Sequence, residues 1–273
     1  MKDYVLELAS KQIGLNAKLN VMREYLQAYL LRILHEKGTF RLTAFLGGTA
    51  LRFLYNLPRF SEDLDFSMVK KSAGYSFPDI IGRIKEEFTL AGYNLSVSYN
   101  DKKIVQHAFF KFRDLMYETG ISPLKEQNFS IKIEIDTNPP RGAVLKTEIV
   151  NKYFPMAFLS YDLPSLFAGK IHAILNRKYT KGRDLFDLGW YLSRWKDLSP
   201  NITLLQNGLV QTDWKERFPT REDWRRYLYD VVEKVDWKRV ANDVTSFLEN
   251  PADLNIFTRE NILHLIQPQK NAP

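Results

Sequence analysis

FLGGTALRFLYNLPRFSEDLDFSM, Phe45 to Met68, is the stretch from which the rest of the chain is read. An apolar run ends in a glycine pair. After it comes a short amphipathic segment, and then two aspartates flank a single leucine. The run TFRLTAFL before the glycines alternates Phe40, Leu42, Ala44 and Leu46, which predicts a strand entering the Gly47-Gly48 turn. EDLDFSM alternates again, with Leu64, Phe66 and Met68 on one face and Asp63, Asp65 and Ser67 on the other. Alternation sets the two aspartates about 7 Å apart at the backbone, close enough for both to hold a cation. A glycine turn opening a helix presents backbone amides with no Cβ in the way, a geometry suited to phosphate. Two carboxylates on a solvent-facing strand side are equally what a half-wet antiparallel sheet presents, so a third acid has to decide between these readings.

SIKIEIDT supplies it. Ile131, Ile133 and Ile135 face one way, and Lys132, Glu134 and Asp136 the other. Glu134 could complete a metal site with Asp63 and Asp65, and spacing alone leaves Asp136 as the alternative. Glu134 is preferred to Asp136, which sits beside the Thr137-Asn138-Pro139 exit. Three such carboxylates can hold two divalent ions around one phosphorus. Working outward, residues 10–37 have helical spacing with Gly38 as the stop, and PDIIGRIKEEFTLAG is an amphipathic helix closed by Gly92. YNLSVSYN, IVQHAFFKFRDL and NFSIKIEIDT read as strands, with GAVLKTEIV as a fourth. From Asp162 the pattern is helical, with Pro200 and Pro219 marking connections. The expected class is α+β. A mixed, mainly antiparallel sheet flanked by helices fills residues 1–158, and an α-helical domain fills 159–273.

Composition sets the outer limits. With 273 residues, 45% of them apolar, the chain can bury a proper core. It has no cysteine, which excludes disulfides, zinc–thiolate centres and a thiol nucleophile. No apolar run approaches the ~20 residues of a membrane span, and MKDYVLELASKQ carries charges too early for a signal peptide. The expectation is a cytoplasmic protein with no membrane partner. A net charge of +7 permits a polyanionic partner, nucleic acid first.

One lysine stands out. In YDLPSLFAGKIHAILNR, Asp162 is placed to cap a helix and Pro164 sits in its first turn. Lys170 falls within the apolar face of Leu163, Leu166, Phe167 and Ile174, so it needs an anionic partner or a route to water. KYTKGRDLFDLGWYLSRW adds Lys181 and Arg183, with Asp184 and Asp187 three residues apart on one helix face. Further on, REDWRRYLYD and VEKVDWKRV set Trp224 and Trp237 among cations. These are either an RNA grip or helix core beside a solvated face.

FLGGTALRFLYNLPRFSEDLDF, IKIEID and AGKIHAILNRKYTKGRDLFDL, in that order, resemble the AbiEii/AbiGii toxin family of the polymerase-beta-like nucleotidyltransferase superfamily over roughly residues 40–195. The resemblance implies Mg²⁺, in a two-metal site, on Asp63, Asp65 and Glu134. It implies a nucleoside triphosphate held by Gly47, Gly48, Thr49, Ser61, Lys170, Lys181 and Arg183, with Lys170 and Asp184 in the catalytic set. The serine common after the family's first glycine is absent, so Thr49 or the glycine backbone must serve. The implied activity is transfer of nucleotides to an RNA acceptor, the tRNA 3′ end, blocking translation within a toxin–antitoxin or phage-defence module. A nearby gene would encode the antitoxin. The rivals are transfer to a small molecule or protein hydroxyl, and a non-catalytic nucleotide- or RNA-binding protein. A binding module has no need of three convergent carboxylates.

Overall fold

The alternation at Asp63–Met68 is a strand, and the chain around it builds a mixed seven-stranded sheet followed by a run of helices. The computed structural model describes residues 1–70 and 74–267. The N-terminal part runs α1 (Lys2–Ser10), α2 (Leu15–Glu36), β1 (Thr43–Leu46), α3 (Gly47–Tyr55), β2 (Asp63–Met68) and α4 (Phe77–Leu90). Then come β3 (Leu95–Asn100), β4 (Val105–Phe112), α5 (Leu115–Glu118), β5 (Phe129–Asp136), β6 (Leu145–Asn151) and β7 (Pro155–Tyr161). The remainder is helical: α6 (Leu163–Asn176), α7 (Gly182–Arg194), α8 (Ile202–Gln211), α9 (Trp224–Lys234), α10 (Trp237–Thr245) and α11 (Arg259–Ile266). Two compact units result, residues 1–139 with 145–160, and residues 140–144 with 161–273. Among the described residues no helix is long and apolar enough to cross a membrane.

Strand order in the first unit is β3-β4-β5-β2-β1-β7-β6. β2 runs antiparallel to β1 and parallel to β5, while β4 is antiparallel to both β3 and β5. Leu64, Phe66, Ile131, Ile133 and Ile135 are buried on the sheet's apolar face. There Phe66 stacks on Phe45 with ring centroids 5.3 Å apart, and Phe158 of β7 stands 5.5 Å from Phe45. Such rings supply much of the core's burial free energy, about 1.5–3 kcal/mol for each fully buried large apolar side chain.

Several elements differ from the sequence expectation. The predicted helix over 10–37 begins only at Leu15, behind Gly14 at φ +88°, a region open to glycine and costly to other residues, and Lys2–Ser10 is a separate helix before it. Thr39–Arg41 is a 3₁₀ turn, with the Arg41 amide bonding the Gly38 carbonyl and Leu42 bonding Thr39, so β1 starts only at Thr43. β7 was not expected. The predicted strand IVQHAFFKFRDL stops at Phe112, and Leu115–Glu118 turns helical behind Asp114 at φ +61°.

A buried ionic cluster fixes α2 against α3. Glu24 and Arg52 are 5% and 4% exposed and form an ion pair, to which Lys152 (2.9 Å) and the Tyr153 hydroxyl (3.0 Å) add. Arg52 also donates to the Leu57 carbonyl and lies over the Phe60 ring, 4.3 Å from its centroid. The network holds the helix that starts at Gly47 against the rest of the unit.

Candidate active site

Register decides how the acids meet. In the parallel pair of β2 and β5, Asp63 lies opposite Lys132, Asp65 opposite Glu134, and Ser67 opposite Asp136. Side chains of register partners share a face, so Asp63, Asp65 and Glu134 stand together on the polar face while the isoleucines of β5 go into the core. Asp136 lies one pleat further from Asp65, and its Oδ1 accepts the Asn138 amide at 2.9 Å in the exit turn. Burial raises the Asp136 carboxyl above its ordinary value, partly offset by that hydrogen bond.

Lys132, between the isoleucines, completes the face. Its ammonium is 2.7 Å from Glu134 Oε1 and lies in the field of Asp63 and Asp65. Burial alone would lower its pKa, but the hydrogen bond and charge of Glu134, helped by the aspartates, outweigh this and raise it. Among the described residues no three acidic or imidazole side chains are drawn into a closed metal cage. The donor set is nonetheless three hard carboxylates on one face around a cationic group, the chemistry that suits Mg²⁺. Beyond β5 the same face continues onto β4, where His107 lies opposite Glu134 and Phe109 opposite Lys132. Both rings are half-buried, 5.9 Å apart, and Lys132 lies 5.7 Å from the Phe109 centroid.

The glycine turn meets this face at its other side. Leu46, the last residue of β1, is the register partner of Asp65, and Gly47 follows at φ +81°. A Cβ on Gly47 would collide with the Asp65 carboxylate, so both the backbone conformation and the close approach demand glycine. A Cβ on Gly48 would meet Ser61 Oγ at 2.9 Å and the Arg59 guanidinium at 3.0 Å. The first turn of α3 has no side-chain cap, which leaves backbone amides at a helix N-terminus beside these groups. Thr49 is fully buried and its hydroxyl donates to the Asp63 carbonyl, tying α3 to β2. The Thr49 side chain therefore braces the turn.

Three residues of this site escaped the sequence reading. Gln27, 1% exposed on α2, donates through its amide to the carbonyls of Ser61 and Glu62 at 3.0 and 2.9 Å, fixing the approach to β2. Arg59, 2% exposed, stands beside Gly48. Lys132 was seen to face the acids, but not as their counter-charge. For Lys132 the signal was its position two residues before Glu134; for Gln27 no local signal exists, because its partners lie 34 and 35 residues away.

The remaining expected residues belong to the second unit. Lys170 does not snorkel. Its ammonium sits 3.1 Å from Asp184 and 2.6 Å from Asp187, which is fully buried, and Arg177 pairs with Asp184 as well. Arg183 donates its backbone amide to Asp243 at 3.2 Å, and its guanidinium lies over the Phe247 ring, 4.3 Å from the centroid. Lys181 is the exposed residue preceding α7. Trp224 is core, 2% exposed and edge-on to Phe167 at 5.5 Å, so it cannot stack on RNA; Trp237 packs on Phe257 at 4.9 Å.

Solved structures resemble this fold. MenT4, a nucleotidyltransferase toxin from Mycobacterium tuberculosis H37Rv, aligns with a TM-score of 0.57 at 16% identity, covering 100% of this chain and 90% of that one. A Helicobacter pylori protein assigned as a nucleotidyltransferase aligns at 0.52 and 21% identity, covering 88% and 90%. At such identities the likeness concerns the fold. A comparison with curated proteins gives no significant match. The family model for the nucleotidyl transferase AbiEii toxin of type IV toxin–antitoxin systems matches residues 29–259, which takes in the acidic face, the glycine turn and the α6–α7 pair. The chain therefore belongs to the AbiEii nucleotidyltransferase toxin family, which makes it a nucleotidyltransferase with a nucleoside triphosphate as donor and a cognate antitoxin as partner.

Proposed function

We propose that the protein is a Mg²⁺-dependent toxin that transfers nucleotides from a nucleoside triphosphate to an RNA acceptor, the tRNA 3′ end, and so blocks translation. The observation that carries this reading is the register of β2 against β5, which sets Asp65 opposite Glu134 with Asp63 two residues back. Gly47 presses against Asp65 on the other side. Asp63, Asp65 and Glu134 would hold the metal, and the first-turn amides of α3, with Arg59 and Ser61 beside them, would orient the phosphates. A divalent ion bound there would supply charge neutralisation at the phosphoryl group and a more acidic acceptor hydroxyl. The acceptor oxygen bonds the α-phosphorus as the α–β bridging P–O bond breaks, pyrophosphate departs and the hydroxyl proton is released.

Asp63→Asn tests the site, since it removes one charge from a polar strand face and no packing. Incorporation of labelled nucleotide into total RNA with Mg²⁺ present is expected to fall at least a hundredfold. A folded variant with wild-type transfer would remove Asp63 from the reaction. The resemblance also assigns Lys170, Lys181, Arg183 and Asp184 to the reaction, and Lys170 has its own test below.

A further inference from the structure

The sheet orders the site from one side to the other. The glycine turn follows β1, the aspartates stand on β2, Glu134 stands on β5, and beyond it β4 carries His107 and Phe109. Phosphoryl transfer needs attacking and leaving oxygens roughly in line through phosphorus. If pyrophosphate leaves toward the α3 amides at the β1 end, attack comes from the β5–β4 end. On this basis, which rests on the proposed transferase reading, we infer that His107 and Phe109 form the acceptor platform, on which a base at the 3′ end of RNA stacks.

The composition of the platform fits that occupant. Adjacent strands lie about 4.8 Å apart, so His107 is one strand from Glu134 and two from Asp65, the reach of a single nucleotide. The two rings meet at a 77° interplanar angle, so one presents a face where the other presents an edge. A ring pair holds a base by stacking and apolar contact without reading its sequence. Cations interleave with them: Lys132 stands by the Phe109 ring, and Lys111 is two residues further along β4. Lys102 and Lys103 are exposed in the turn between β3 and β4. Polar Ser98 and Asn100 of β3 are register partners of Phe109 and His107, so the rings stand on a face of otherwise polar side chains. The apolar contribution of Phe109 to this face has no role in the core, which lies on the opposite side with Ala108 and Phe110.

The test uses the full chain and two 5′-labelled RNA hairpins, one with a short single-stranded 3′ overhang and one blunt. In anisotropy titrations, Phe109→Leu, which keeps the apolar volume and loses the ring, and His107→Ala are each expected to weaken overhang binding about tenfold, with blunt-hairpin binding unchanged. Phe109→Trp is expected to restore it. In transfer assays the acceptor KM rises by a similar factor, while the KM for the nucleoside triphosphate holds. Unchanged overhang binding and acceptor KM in both ring-loss variants would overturn the platform, as would a rise confined to the triphosphate KM, which would put the donor's base there. These outcomes are separable from failure of the transferase reading. That reading fails if Asp65→Asn leaves transfer intact, whatever the ring variants do to RNA binding.

Discussion

Methionine at position 170 keeps the aliphatic stem of Lys170 and removes the ammonium that Asp184 and Asp187 share. Removing one partner from a buried ion pair typically costs 3–5 kcal/mol, because the charge left behind stays out of water. Lys170→Met is therefore expected to be destabilised by about that amount in urea unfolding. If Lys170 also spends its third N–H on a phosphate, transfer measured well below the melting transition falls a further ~30- to 1000-fold. Lost stability with unchanged transfer would confine Lys170 to holding α6 against α7. The anomaly itself was legible, since a lysine in an apolar stripe must find an anion, and Asp184 and Asp187 stood at the right spacing. Their joint claim on one ammonium was not, because it depends on how α6 and α7 cross.

At the level of elements, α6 and α8 pack through His172. Its ring meets the Gly208 backbone, and Nε2 lies 3.1 Å from the Thr212 hydroxyl. Burial lowers the His172 pKa below its usual 6.5, and the Arg177 charge lowers it further, against a raising hydrogen bond at Gly208. A base depressed in the folded state is protonated more readily once unfolded. Stability that is intact above about pH 6.5 is then lost as pH falls toward the folded value. Melting temperatures measured from about pH 8 down to about pH 5 should show this loss, and His172→Gln should flatten it. An identical slope in the variant would assign the acid sensitivity elsewhere. Element boundaries were read well where period and punctuation agreed, as at Phe77–Leu90 with Gly92 behind it. β7 was missed although Met156 and Phe158 alternate, because Pro155 opens it and buried Ser160 interrupts the apolar series. That strand seals β1, so the sheet's interior depended on the segment with the weakest signal.

For the whole molecule, membership of a toxin family makes growth the natural readout. Induced expression in bacteria is expected to arrest growth, and Asp65→Ala, which removes the carboxylate between Gly47 and Glu134, should relieve the arrest without reducing the amount of folded protein. Arrest that persists with Asp65→Ala would mean that the chain acts by binding. The succession of a sheet and then helices was readable from the change of hydrophobic period near Asp162, since alternation ends there and helical spacing begins. The small segment 140–144 that joins the helical unit was not. It is held there by side-chain hydrogen bonds to its backbone, such as Asn201 Nδ2 donating to the Gly142 carbonyl at 2.7 Å, and a backbone acceptor leaves no trace in the sequence pattern.

The contact between Gly47 and Asp65 also shapes how such a gene decays. Any base change at the first or second position of a glycine codon brings in a side chain or a stop, and at Gly47 every side chain begins with the carbon that strikes Asp65. Colonies that survive forced induction of the wild-type gene should therefore carry missense lesions at this codon as often as at those for Asp63 and Asp65. Alanine, the smallest possible lesion, should already be among them.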